Sequence, residues 1–206
     1  GGARSTLVRA EVEVPNPYRG LLAFGEADAG SFYGRDDLVS DLAQTVEEHG
    51  FVTVVGASGS GKSSVVRAGL LPRLRRGVLD GSAGWFTATI TPGSHPFEQL
   101  EAGLFKIATK TPDNLLEQLQ SGERGLNRVL EQVLPENGTL VLVVDQFEEL
   151  FTLTGESERN QILRTLANAV TDPDSQLRVV ATVRADFYDG PLSHPVIGEL
   201  VRIGSV

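Results

Sequence analysis

Apolar residues along this chain recur with two different periods. Short runs rich in β-branched residues at 51–55 (FVTVV), 85–90, 139–144 (TLVLVV) and 177–183 predict strands. The third run is unbroken, as expected of a parallel strand covered on both faces. Between the runs the spacing becomes helical. Leu38, Leu42 and Val46 predict a helix whose first turn carries Asp36 and Asp37 and which Gly50 ends. Val65, Val66, Leu70, Leu71 and Leu74 predict a second over about 63–76, kinked or split at Pro72. A helix over 96–108 tolerates Pro96 in its first turn. Residues 112–134 read as two short helices broken near Gly122, and 158–170 as a helix with Ile162, Leu163, Leu166 and Val170 inward.

Strand–helix alternation at this spacing predicts an α/β fold, a mostly parallel β-sheet with helices on both faces. Residues 1–20 read as a linker leading into one domain over 21–206, and no internal repeat is visible.

The chain has 206 residues, no cysteine, no methionine and a net charge of −9. A single domain of that size buries about 70% of the surface its unfolded chain exposes. The acidic balance does not suggest a nucleic-acid footprint, so direct nucleic acid contact is not expected. No apolar stretch is long enough to span a bilayer, and no signal-peptide pattern opens the chain. A cytoplasmic domain, no membrane partner and a fragment of a larger multidomain protein are the expectations.

One stretch changes the picture. GASGSGKSS, residues 56–64, follows the first strand and opens the second helix. It fits G-x-x-x-x-G-K-[ST] through Gly56, Gly61, Lys62 and Ser63. A Gly/Ser linker is the plain alternative, but strand before and helix after are the context a phosphate-binding loop requires. The loop residues Gly56, Ala57, Ser58, Gly59, Ser60, Gly61, Lys62, Ser63 and Ser64 are the expected nucleotide cradle. Glycine lets successive N–H groups turn toward one anion. Lys62 would reach the β- and γ-phosphates as a point charge, and Ser63 would offer its hydroxyl to Mg²⁺.

A phosphate loop alone binds without hydrolysing. Asp145 ends the buried run LVLVV, where an α/β sheet presents ligands, and is the expected second Mg²⁺ ligand. Gln146 holds the position after it, where many ATPases carry the catalytic glutamate. Glu148 and Glu149 follow; either could take the proton of an attacking water, and Glu148 is the preferred one. They read alternatively as solvated residues at a helix start. Arg184 closes the last strand and would lie near the γ-phosphate, or pair with Asp186 instead. No N-K-x-D-type guanine reader is present, so ATP or ADP is the expected nucleotide. His49, His95 and His194 lack metal spacing and read as surface or turn residues. Phe147, Leu150 and Phe151 read as core cover.

These motifs, together with NPYRGLLAFGEADAGSFYGRDDLV near the front and VVATVRADFYDGPL near the end, resemble the STAND class of P-loop NTPases. The likeness is closest to the bacterial novel STAND NTPases, related to the NACHT and AAA+ groups. The resemblance runs from about Asn16 to the last residue. It implies that Tyr33, Gly34 and Arg35 lie beside the nucleotide base and that Arg184 is a sensor. It also implies a nucleotide-dependent signalling switch, closed with ADP and open, often oligomeric, with ATP. An N-terminal effector and a C-terminal sensor would flank it in the same chain. Two functions therefore compete: a slow Mg-dependent ATPase switch, and a nucleotide-binding scaffold or oligomerisation module with little hydrolysis. A P-loop kinase is weaker, for want of an Arg-rich lid.

Overall fold

A computed structural model describes residues 36–110 and 112–206. The linker expected over 1–20, and Tyr33, Gly34 and Arg35, expected beside the base, lie outside these. The described residues form four strands: β1 (Phe51–Gly56), β2 (Phe86–Ile90), β3 (Leu140–Val144) and β4 (Leu177–Arg184). All pair in parallel, in the order β1-β4-β3-β2. The last strand is thus inserted between the first and the third. Residues 204–206 run along the free edge of β1, where Val206 N donates to Thr53 O at 2.9 Å and Val55 N to Val206 O at 3.0 Å.

Two apolar layers sandwich the sheet, and the period-two geometry of a strand divides residues between them. On β3, Leu140, Leu142 and Val144 face one layer while Val141 and Val143 face the other. On β4, Val179, Ala181 and Val183 join the first layer and Val180 the second. The first layer is closed by α4 (Pro96–Phe105), α5 (Leu115–Gln120), α6 (Gly125–Val133), α7 (Glu149–Thr152), α8 (Glu156–Thr171) and α10 (Gly198–Ile203). The second is closed by α1 (Asp36–Glu48) and by the helical stretch after β1. A short α9 (Asp189–Ser193) lies between β4 and α10.

The stretch after β1 is not one regular helix. It runs as α2 (Lys62–Ser64), a π-helical segment Val65–Leu70 and α3 (Leu71–Arg75). Pro72 falls in the first turn of α3, where its missing N–H costs little, and the wide π turn before it absorbs the split that the proline imposes. The break expected at Gly122 is present, with φ of +98° there.

Some boundaries and one helix face differ from the expectation. Trp85 lies before β2 rather than in it, and α4 ends at Phe105, three residues short of 108. Val170 faces the first layer as expected, half-buried at its margin. On α1 the buried face is Val39, Leu42, Ala43 and Val46, and Leu38 is 36% exposed. A strict four-residue repeat drifts by about 40° per step around a helix of 3.6 residues per turn. The i, i+3, i+4, i+7 set keeps to one side.

This face assignment is directly testable. Leu42→Ala, which empties a fully buried position, should cost about 2–5 kcal/mol in denaturant unfolding. Leu38→Ala should cost less than about 0.5 kcal/mol. Equal costs would put the wrong face of α1 on the sheet.

Candidate functional site

Because the strands are parallel, their carboxyl ends lie along one edge. Gly56, which opens the loop, pairs in register with Arg184, which ends β4. Val144 pairs with Ala181 and with Ile90, so Asp145 emerges beside Thr182. The expected site residues of the loop, Asp145, Glu148 and Arg184 thus share one edge of the sheet, although 82 positions separate Ser63 from Asp145.

The loop turns on glycine. Gly59 and Gly61 hold φ of +71° and +88°, a region that favours glycine over every residue with a Cβ. A Cβ at Gly56 would stand 2.8 Å from Ser60 Oγ, so a side chain there would require the Ser60 hydroxyl to turn aside. Ala57, Ser58 and Gly59 are exposed at the tip; Ser64 is buried at the helix base. Lys62 folds back over the loop and its Nζ donates to the carbonyls of Gly56 (2.9 Å) and Ala57 (2.8 Å).

Asp145 is the electrostatic centre. It is 5% exposed, and a carboxylate so placed must be paired or hydrogen-bonded. Ser63 Oγ donates to its Oδ1 at 2.7 Å and Thr182 Oγ1 to the same oxygen at 2.6 Å. Arg67 Nη2 donates to Oδ2 at 2.7 Å, a charge-assisted bond. Thr182 Oγ1 also accepts the N–H of Gln146 at 3.0 Å, and Gln146 takes a φ of +56°. That turn redirects the chain so that Phe147 is fully buried, edge-on to Phe51 with ring centroids 5.8 Å apart.

The two glutamates part company. Glu148 is 6% exposed, and its Oε2 accepts the backbone N–H of Arg184 in a long contact of 3.4 Å. Glu149 Oε2 instead accepts the N–H of Gly93 at 2.9 Å, while Thr154 Oγ1 donates to Gly93 O at 2.8 Å. The N–H and the C=O of Gly93, in the β2–α4 loop, are therefore both held. Arg184 is 42% exposed at its side chain; its Nη2 donates to Asp186 Oδ2 at 2.6 Å and its guanidinium stacks 5.0 Å from the Phe187 ring centroid. The hydrogen bond to Asp186 raises the Arg184 pKa, and Glu148 adds to the effect. In return that bond lowers the Asp186 carboxyl, which Lys62 also favours in its charged form.

Sequence reasoning missed Arg67 and Thr182. Arg67 stands four residues beyond Ser63, hence on one helix face with it. Thr182 is a polar residue inside an apolar strand, two positions before Arg184 and so on the same side. His49 and His95 lie near Glu48 (4.0 Å) and Glu158 (3.9 Å). His194 is more than a surface residue, edge-on to Phe151 at 6.0 Å and bonded to Asn160 at 3.1 Å. Burial and then Arg159 and Arg164 lower its pKa. Among the described residues no group of three or more His, Cys, Asp or Glu side chains converges on a possible metal. No helix among them is long and apolar enough to cross a membrane.

The family described as Novel STAND NTPase 1 matches residues 17–206. Among solved structures the chain is similar to a Walker-type ATPase of Pyrococcus abyssi, at 17% identity and a TM-score of 0.53, over 88% of this chain and 54% of that one. It is also similar to the ORC2 protein of Aeropyrum pernix, solved in ADPNP–ADP complexes, at 10% identity and a TM-score of 0.50, over 82% and 46%. At these identities the likeness is one of fold, and the chain spans about half the length of both. No curated protein matches.

Two buried threonines test the hydrogen-bond map of the site. Thr182→Val removes a donor to Asp145 and the acceptor of Gln146 N–H, and should cost about 1–3 kcal/mol of unfolding free energy. Thr53, also fully buried, has no partner for its hydroxyl among the described residues. Thr53→Val should be neutral or stabilising in the same assay.

Proposed function

The chain belongs to the novel STAND NTPase 1 family, and on that premise we propose that this nucleotide-binding NTPase domain binds and slowly hydrolyses ATP with Mg²⁺ as the switch of a multidomain signalling protein. The observation that carries the reading is the 2.7 Å contact between Ser63, at the end of the phosphate loop, and Asp145, at the end of β3. A hydroxyl and a single carboxylate are hard oxygen donors. They suit a cation that takes the rest of its shell from phosphates and water, as Mg²⁺ does. Bound there with nucleotide, Mg²⁺ would neutralise charge on the β- and γ-phosphate oxygens.

The chain's own residues account for the rest. Lys62 exchanges the carbonyls of Gly56 and Ala57 for phosphate oxygens, a change of partner that needs only rotation of its stem. Gly59 and Gly61 hold the loop open for the anion. Glu148, buried between β3 and β4, takes the proton of a water aligned with the γ-phosphate. Glu149 is committed to the N–H of Gly93 and serves to hold the β2–α4 loop. Arg184 stands opposite Gly56 in the ladder and would answer the charge of the γ-phosphate after leaving Asp186. Tyr33, Gly34 and Arg35 would lie at the base. In a longer chain, an effector before the domain and a sensor after it would read the state of the nucleotide, with ATP favouring a homo-oligomer.

A second reading has its own support. The Arg184 guanidinium is already committed to Asp186 and Phe187, and Gln146 follows Asp145. A scaffold that binds nucleotide with little turnover would tolerate both.

Release of labelled phosphate from ATP separates the two. Under the switch reading Glu148→Gln lowers kcat by about 10²–10⁴-fold and leaves nucleotide affinity unchanged. Wild-type chain with Mg²⁺ that binds ATP and releases no phosphate contradicts the switch and leaves the scaffold.

A further inference from the structure

Arg67 belongs to no part of the loop motif, yet among the described residues it makes the one ion pair with the carboxylate at the centre of the site. Its Nη2 lies 2.7 Å from Asp145 Oδ2, with the aspartate side chain 7% exposed and the arginine side chain 33% exposed. The other oxygen, Oδ1, is taken by Ser63 and Thr182. Both oxygens of Asp145 are therefore engaged by the protein's own donors, and Oδ2 faces the positive charge of the Arg67 guanidinium. A divalent cation arriving at Oδ2 must share a nearly buried carboxylate with a guanidinium. Two like charges in so dry a place repel strongly.

The helix that presents Arg67 is built for this contact. Ser63 and Arg67 are four residues apart on one face, and the π-helical segment Val65–Leu70 widens the turn between them. Such single π turns recur at functional sites. The contact is also incomplete. Arg67 Nε is buried with no hydrogen-bond partner among the described residues, so the guanidinium is only partly satisfied where it sits. One third exposed, the side chain has a way out to water.

We propose that Arg67 is a built-in counter-cation that positions Asp145 and excludes a free divalent cation until nucleotide brings one in. The proposal rests on the reading of Ser63 and Asp145 as cation ligands. Incoming phosphates supply the negative charge that lets a second cation approach and the guanidinium leave. Cation and nucleotide then bind as one unit, and each strengthens the other by the same factor. Without Arg67 the buried carboxylate would be an unpaired anion, open to any hard cation in solution.

Mn²⁺ alone is a suitable probe, because its free ion is counted directly by electron paramagnetic resonance. Without nucleotide the wild-type chain should show no saturable Mn²⁺ site in the range where it binds Mn²⁺ with ADP. Arg67→Gln should bind one Mn²⁺ without nucleotide at least about tenfold more tightly than wild type. Asp145→Asn added to that variant should abolish the gain, and Arg67→Lys, which keeps a charge, should restore much of the exclusion. Far-ultraviolet circular dichroism checks that each variant is folded. If Arg67→Gln does not fold, the wild-type titration still decides: a tight Mn²⁺ site that needs Asp145 but no nucleotide overturns the proposal. So does equal Mn²⁺ affinity in wild type and folded Arg67→Gln when ADP-dependent Mn²⁺ binding still requires Asp145. If Asp145→Asn leaves ADP-dependent Mn²⁺ binding unchanged, the cation-site reading itself is wrong, and the proposal falls with it.

Discussion

A carboxylate buried at the edge of a parallel sheet has to be satisfied, and most of this architecture can be read as meeting that demand for Asp145. Its donors come from three places: Ser63 at the loop end, Arg67 in the π-helical segment and Thr182 in β4. None can reach it unless β4 is inserted between β1 and β3 and the ladders are in register. A slip of one residue in β4 would turn Thr182 away from the aspartate and send Val183 to the wrong layer. The apolar core and the polar site therefore specify the same register, and each supports the other.

The same edge also separates rigid from movable parts. Asp145, Phe147 and Thr182 are buried and tied into the sheet, so the position of the carboxylate is set by the core. Lys62 holds only loop carbonyls, Arg184 is held by an exposed pair with Asp186, and Arg67 is partly solvated. These three cations keep partners that they can exchange. Under the proposed function, fixed anions and exchangeable cations would suit a polyanionic ligand that arrives with its own metal. Glu149 extends the rigid part outward by holding the peptide of Gly93, linking the segment after β3 to the loop after β2.

What was legible in the sequence follows from how local each signal is. The phosphate loop spans nine adjacent residues, and the strand ahead of it and the helix after it sit beside it in the chain. The positions of Asp145 and Arg184 at the carboxyl edge were legible because each closes an apolar run. Arg67 and Thr182 were not, because their meaning depends on a partner 78 and 37 residues away, and only the strand order brings them together. Leu38 was misjudged for a different reason. Leu38 and Val39 are both apolar, and the set Val39, Leu42, Ala43 and Val46 at i, i+3, i+4 and i+7 keeps to one side where the four-residue repeat through Leu38 drifts off it. The π-helical segment left no trace in the apolar spacing, since Val65, Val66 and Leu70 suit either kind of turn.

The most direct test of the account is calorimetric titration of ATP, ADP and GTP, each with Mg²⁺, into the folded chain and into Lys62→Ala. The account predicts saturable binding of the adenine nucleotides to the wild type, weaker or no binding of GTP, and loss of binding in Lys62→Ala. Equal binding by the two proteins, or none by a wild-type chain shown to be folded, would contradict the assignment of residues 56–64 as the phosphate-binding loop.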